Sequence, residues 1–131
     1  MNAEDDHKLP LLDSSVLSGL RAGKDTGYGI WRVFIDDFIT QLPARIQTLR
    51  SALTTGDIMG GINAALALRT SVQMVGGLRL AALTLTLEGE LRRVAAEPDP
   101  ASVLPGLAVM HLNGILHCAQ RTIHTLEAAL E

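Results

Sequence analysis

Aliphatic residues recur through this chain at three- and four-residue spacings, and that spacing restricts it to helices that each bury one face. The longest series is Trp31, Phe34, Ile35, Phe38, Leu42, Ile46, Leu49 and Leu53, the pattern of an amphipathic helix. Pro43 falls inside it and is expected to kink the helix, since proline lacks the N–H and clashes with the preceding turn. Hydrophobic residues make up 47% of the 131 positions but aromatics only 3%. The core must therefore be aliphatic, which suits interlocking helices better than a β-sandwich. A length of 131 residues fits one domain.

Turn residues divide the remainder. Residues 1–9 are polar and acidic and are expected to form a disordered leader ahead of a single domain over residues 10–131. A short helix is expected from Leu11 to about Leu20, capped by Asp13 or Ser14, with Val16, Leu17 and Leu20 as its apolar stripe. Arg21 to Gly27 read as a loop. Gly56 suits a C-cap and Asp57 an N-cap, so a third segment runs from Asp57 to about Val75 with Ile58, Ile62, Ala65, Leu68, Val72 and Val75 inward. Gly76-Gly77 closes it. A fourth runs from Leu78 to about Val94, with Leu80, Leu83, Leu87, Leu91 and Val94 as core. Leu83 to Leu87 alternate like a strand, but the neighbouring Ala81, Ala82, Glu88 and Glu90 favour helix. Glu97-Pro98-Asp99-Pro100 is a break. The last helix carries Leu112, Ile115, Leu116, Ala119, Ile123, Leu126 and Leu130 on one side, with Pro105 near its first turn. The expected fold is all-α: an antiparallel up-down four-helix bundle with a short extra N-terminal helix over one end.

Gly56-Asp57, then Ala65-Leu66-Ala67-Leu68-Arg69-Thr70-Ser71-Val72, then Gly76-Gly77 resemble the signature of the histidine-containing phosphotransfer (HPt) domains of bacterial multistep phosphorelays. That signature reads roughly Gly-Asp, a helical stretch, Ala-His-x-Leu-Lys-Gly-Ser-Ala and, three residues on, Gly-Ala. Leu11-Leu12-Asp13 with Leu17 and Leu20, the Phe34/Phe38 helix with its proline, and Leu80, Leu83 and Leu87-Glu88 extend the resemblance over nearly the whole chain. It implies the bundle fold and a surface for a response-regulator receiver domain or a histidine kinase. The phosphoacceptor histidine of the family falls on Leu66, which has no nucleophilic nitrogen. Arg69 keeps the charge of the family's lysine, Thr70 replaces its glycine, and Ser71 remains. The resemblance thus implies a pseudo-phosphotransfer domain without catalytic residues, an adaptor rather than an enzyme.

At ~100° per residue, Leu66 lies about 110–120° from the centre of the third segment's core face. Met59 and Gln73 share its direction, and Asn63 and Thr70 lie on the same outward side. Two readings follow. Leu66 sits on a boundary and widens the core, or Met59 and Leu66 form an apolar docking spot flanked by Asn63, Arg69, Thr70 and Gln73. Leu78 and Leu85, seven apart, fall off the core stripe of the fourth segment. With a mean hydropathy of +0.25, they suggest a second interface, covered by a partner or by a second copy. The rival reading is accordingly a structural or regulatory homodimer.

Other chemistry has less support. The formal charge of −3 offers no basic patch for nucleic acid, and Arg69, Arg79, Arg92 and Arg93 make no stripe with aromatics. His117 and His124 share a face beside Cys118, but without metal-ligand spacing, so no metal or cofactor is expected. Phosphotransfer through His111 or His117 lacks the surrounding motif; these and the remaining histidine, His7, read as surface or boundary residues. Asp36 and Asp37 point ~100° apart, too far for an acid–base pair. Gly60-Gly61 is expected to allow close helix packing. Cys118 has no disulfide partner and reads as a small buried hydrophobe. The acidic N-terminus resembles neither a signal nor an anchor, and no apolar run approaches the ~20 residues of a membrane span. A soluble cytoplasmic protein is expected.

Overall fold

The structure, a computed structural model, describes residues 9–23 and 29–131. It is all-helical over these residues, with five helices: α1 (Ser14–Gly23), α2 (Gly29–Thr54), α3 (Ile58–Met74), α4 (Leu78–Val94) and α5 (Pro100–Leu130). Residues 1–8 of the expected leader and 24–28 of the expected loop lie outside the described residues, as do the side chains of Leu20 and Trp31.

Sequence neighbours are also spatial neighbours. α2 packs on α3, α3 on α4 and α4 on α5, and α5 returns to α2, so the contacts close a circuit. Three-residue connections at 55–57 and 75–77 enforce the first two pairings, because they leave a helix no room except beside its predecessor. The guanidinium of Arg32, near the start of α2, donates to the carbonyl of Leu130 at the end of α5 and ties the circuit shut. α1 packs on α5.

Local chemistry sets the helix ends. Gly56 has φ +78°, and its Cα approaches the start of α5 so closely that a Cβ would lie 3.1 Å from the Ala101 Cβ. Asp57 caps α3, its Oδ1 accepting from the Gly60 N–H at 2.9 Å. The two glycines of α3 serve different ends. Gly61 admits Leu53 and Leu91 against the helix backbone, as expected, whereas a Cβ on Gly60 would strike the capping carboxylate of Asp57.

α1 begins later and ends later than expected. The Asp13 carboxylate accepts from the backbone N–H and the hydroxyl of Ser15, so the cap falls at Asp13 and the helix starts after it. The Asp13 N–H donates to the Gly76 carbonyl at 2.8 Å, which leaves Leu11 and Leu12 as a non-helical, bent lead-in, with Leu12 in the core. Arg21-Ala22, expected in the loop, are good helix formers and continue the helix to Gly23. Leu9, expected in the leader, has its carbonyl held by the Arg79 Nε at 2.7 Å. α2 stays helical through the exposed Pro43. Pro43 therefore does not interrupt the helix.

The core is aliphatic, as the composition requires, and its stripe on α2 runs through Ile35, Phe38, Leu42, Ile46, Leu49 and Leu53. Two stripes are rotated from expectation. On α4, Thr84 and Glu88 are buried with Leu80, Leu87 and Leu91, while Leu83 and Val94 are only partly covered. On α5, Cys118, Thr122 and Ala129 are buried, and Leu116, Ile123 and Leu130 move to the flank. The buried hydroxyls stay satisfied because Thr84 donates to the Leu80 carbonyl and Thr122 to that of Cys118, each at 2.8 Å. The strand-like Leu83–Leu87 run is helix. Burial pushes the Cys118 thiol above its ordinary value.

Among the described residues α5 is the one helix long and apolar enough to cross a membrane, by length and composition. Residues 100–120 contain no Asp, Glu, Lys or Arg, so the expectation that nothing approaches span length does not hold for α5. Its buried residues lie in the core of the bundle of helices, and a core helix meets the same criterion.

Gly76 combines a left-handed backbone with a close approach to α1. It has φ +70°, and a Cβ would lie 2.5 Å from the Val16 Cγ2 of α1. Gly76→Ala should cost about 1–3 kcal/mol, from left-handed strain plus displacement of α1. Denaturant unfolding measures the loss, and hydrogen exchange should show the Asp13 amide losing protection first.

Candidate docking face on helix α3

The outward face of α3 follows from its packing. Gly61, Ile62, Ala64, Ala65, Leu68 and Val72 are buried between the flanking helices, which turns Met59, Asn63, Leu66, Thr70 and Gln73 outward, all of them exposed. Met59 is 60% exposed and Leu66 37%. Leu66 is therefore not part of the core, though it lies nearer to the shoulder of the helix than Met59 does. Met74, 59% exposed, extends the same apolar ridge and was not anticipated. Projecting position 74 onto the helix puts it about 60° from Met59, a signal already available in the spacing.

Polar groups on the ridge are largely turned to the backbone or to one another. The Thr70 hydroxyl donates to the Leu66 carbonyl at 2.8 Å, and the Ser71 hydroxyl to that of Ala67 at 2.9 Å. Among the described residues neither hydroxyl is hydrogen-bonded to an imidazole that could activate it. His111 bonds to Glu90 of α4, and His117 and His124 line a cleft beside Leu11. Among the described residues the histidines thus lie on other elements than the ridge. Among the described residues no group of three or more His, Cys, Asp or Glu is arranged to hold a metal ion.

Arg69 does not project freely. It is half-buried and grips Glu88 of α4 with both arms of its guanidinium, Nε to Oε2 at 3.0 Å and Nη2 to Oε1 at 3.1 Å. Its Nη1 reaches the Gln73 amide oxygen at 3.4 Å, and Arg92 approaches the same carboxylate at 3.6 Å. Glu88 is 4% exposed. The Arg69 hydrogen bonds hold its carboxyl below the usual carboxylate range, against the opposing effect of burial. Arg69 itself is raised, chiefly by its hydrogen bonds to Glu88. In the sequence Glu88 reads as a helix former and as part of the HPt resemblance, not as a buried ion-pair partner. Its place four residues after Thr84 and eight after Leu80 marks the buried stripe, and Arg92 four residues on is a ready partner.

Leu78 and Leu85 are exposed, at 37% and 52%. They line a shallow groove of about 250 Å³ between α3 and α4 together with Gln73, Gly76, Ala81 and Ala82. Gln73 belongs to the ridge, so the two surfaces expected to be separate meet along the α3–α4 seam. On the other side of α3, Ser71 and Met74 border a cleft with Phe34, Phe38, Gln41 and Arg45 of α2. The ridge thus stands between two grooves. Between Ile58 and Leu78 the only charged residue is Arg69, which is neutralised by Glu88.

A carboxyl whose value is lower in the folded than in the unfolded chain stabilises the fold fully above the ordinary range, ~4.3. That contribution is lost as pH falls through the depressed folded value. Glu88→Gln should therefore destabilise the chain by about 1–3 kcal/mol at pH 7. The gap between variant and parent should close as pH falls below ~4. Urea unfolding across that pH range provides the measurement.

No protein-family model, no curated protein and no solved structure matches this chain.

Proposed function

We propose that this chain is a non-catalytic pseudo-phosphotransfer adaptor, which binds a receiver domain or a histidine kinase of a two-component phosphorelay and modulates it without carrying phosphate. The observation that carries the reading is the outward exposure of Leu66 at the position where the HPt signature has its phosphoacceptor histidine. The closed circuit of α2 to α5, with short connections throughout, supports an up-down antiparallel four-helix bundle as the underlying fold. In this reading α1 is the short extra helix, and the cytoplasm is the compartment where such partners occur.

The chemistry of the ridge favours tight binding over transfer. A phosphoryl acceptor needs a nitrogen lone pair, and Leu66 offers only methyl groups. Burying a leucine-sized side chain contributes ~1.5–3 kcal/mol, so the replacement strengthens a complex while removing the reaction. The Met59–Leu66–Met74 line supplies the apolar contact. Asn63, Thr70 and Gln73 supply neutral polar margins that repel neither acidic nor basic partners. By occupying the surface of a true phosphotransfer protein, the adaptor would sequester its partner or bias its conformation.

A second reading is favoured by Leu78 and Leu85 at the seam groove: a homodimer closing over α3 and α4. Gel filtration with light scattering separates the two. A monomer is expected, and a tight dimer dispersed by Leu85→Glu would replace the adaptor reading. The adaptor reading is tested with phosphorylated receiver domains, from which no stable label should pass to this chain. Acid-labile phosphate appearing on any of its histidines would sink it. Leu66→Asp should weaken capture of the partner by tenfold or more, since an unpaired charge at a contact costs at least ~1.4 kcal/mol.

A further inference from the structure

α5 carries a second candidate surface, unrelated to α3. Leu11, His117, Gln120, Arg121, His124 and Thr125 line a cleft of about 380 Å³ where α5 meets the segment before α1. Every ionisable side chain in that lining is basic. At ~100° per residue, His117, Arg121 and His124 fall within about 60° of one direction and run ~10 Å along the helix. All three are exposed, and among the described residues none has a side-chain hydrogen bond or ion pair. The carboxylates nearest in sequence, Glu127 and Glu131, lie outside the lining, and that of Asp13 is engaged by Ser15. Among the described residues, this is the cleft whose lining combines an arginine and two histidines with no carboxylate.

A further cation borders this flank: Arg79 reaches the same region from α4, its Nε donating to the Leu9 carbonyl two residues before Leu11.

We propose that the His117–Arg121–His124 row docks an acidic peptide segment of a partner protein, a short extended run of Asp and Glu laid along α5. The length of the row selects this ligand. Three or four extended residues cover ~10–14 Å and place carboxylates along the whole row, whereas a single phosphate engages one end and leaves the other unpaired. Arg121, at the centre, supplies a forked donor for one carboxylate. The flanking imidazoles and the Gln120 amide donate to its neighbours, and Leu11 forms an apolar wall. This site does not depend on the role of α3.

The test uses the full chain with isotope-labelled histidines and a synthetic peptide, acetyl-Gly-Glu-Asp-Asp-Glu-Gly-amide. Titration should shift the ring signals of His117 and His124 saturably and leave His111, bonded to Glu90, unmoved. Arg121→Gln, at an exposed position, should weaken the effect about tenfold, and added salt should weaken it further. Four results would overturn the proposal. There could be no saturable shift, or full affinity could survive in Arg121→Gln. Inorganic phosphate could act as strongly at the same concentration. Finally, neutralising Glu4, Asp5 and Asp6 as Gln, Asn and Asn could move the two rings without any peptide, assigning the row to the chain's own acidic stretch.

Discussion

The buried carboxylate of Glu88 is the interaction around which the α3–α4 half of this molecule is organised. A charge taken out of water must be matched where it lies, and Arg69 matches it with a two-armed grip from the neighbouring helix. The pairing pins the register and rotation of α3 against α4. A slip by one residue would carry the guanidinium about 100° away and strand the carboxylate. With that rotation held, Leu68 and Val72 face the core and Leu66 faces out. The apolar contacts alone tolerate small rotations better, because leucines and valines recur on both sides of the stripe.

The same interaction defines the electrostatic character of the outward face. Arg69 is the one charged residue of α3, and its charge is spent on Glu88. What is left on the ridge is apolar or neutral: Met59, Asn63, Leu66, Thr70, Gln73 and Met74. The seam groove with Leu78 and Leu85 continues that surface onto α4. A partner docking there would be selected by shape and apolar area. The α5 flank around Arg121 is lined by basic groups, so the molecule presents two faces of different character. The lead-in segment connects them, with Asp13 tied to the Gly76 turn and Leu9 to Arg79.

The departures from sequence expectation share a cause. Hydrophobicity marks where a helix can be buried, but several stripes of α4 and α5 qualify, and the choice depends on what the neighbours can accept. Thr84 and Thr122 enter the core because each hydroxyl bonds to the carbonyl one turn back and presents a methyl group outward. Leu83, Leu116 and Ile123 are displaced to the flank. The small Cys118 and Ala119 face inward where helices come close. At the N-terminus, a helix expected from Leu11 starts instead after Asp13, because the Asp13 N–H bonds to Gly76, some sixty residues away.

The sequence by itself determined that this chain is all-helical. It marked the breaks at Gly56-Asp57, Gly76-Gly77 and Pro98–Pro100, placed the core stripe of α2, and directed Leu66 away from the core of α3. Those are local properties, written in helical spacing, capping chemistry and the φ > 0 demand of a glycine turn. Only the tertiary structure decided that Glu88 is buried and gripped by Arg69, and that Leu78 and Leu85 join Gln73 in one groove. Each of those depends on which surfaces of two different helices meet, and helix periodicity constrains one surface at a time.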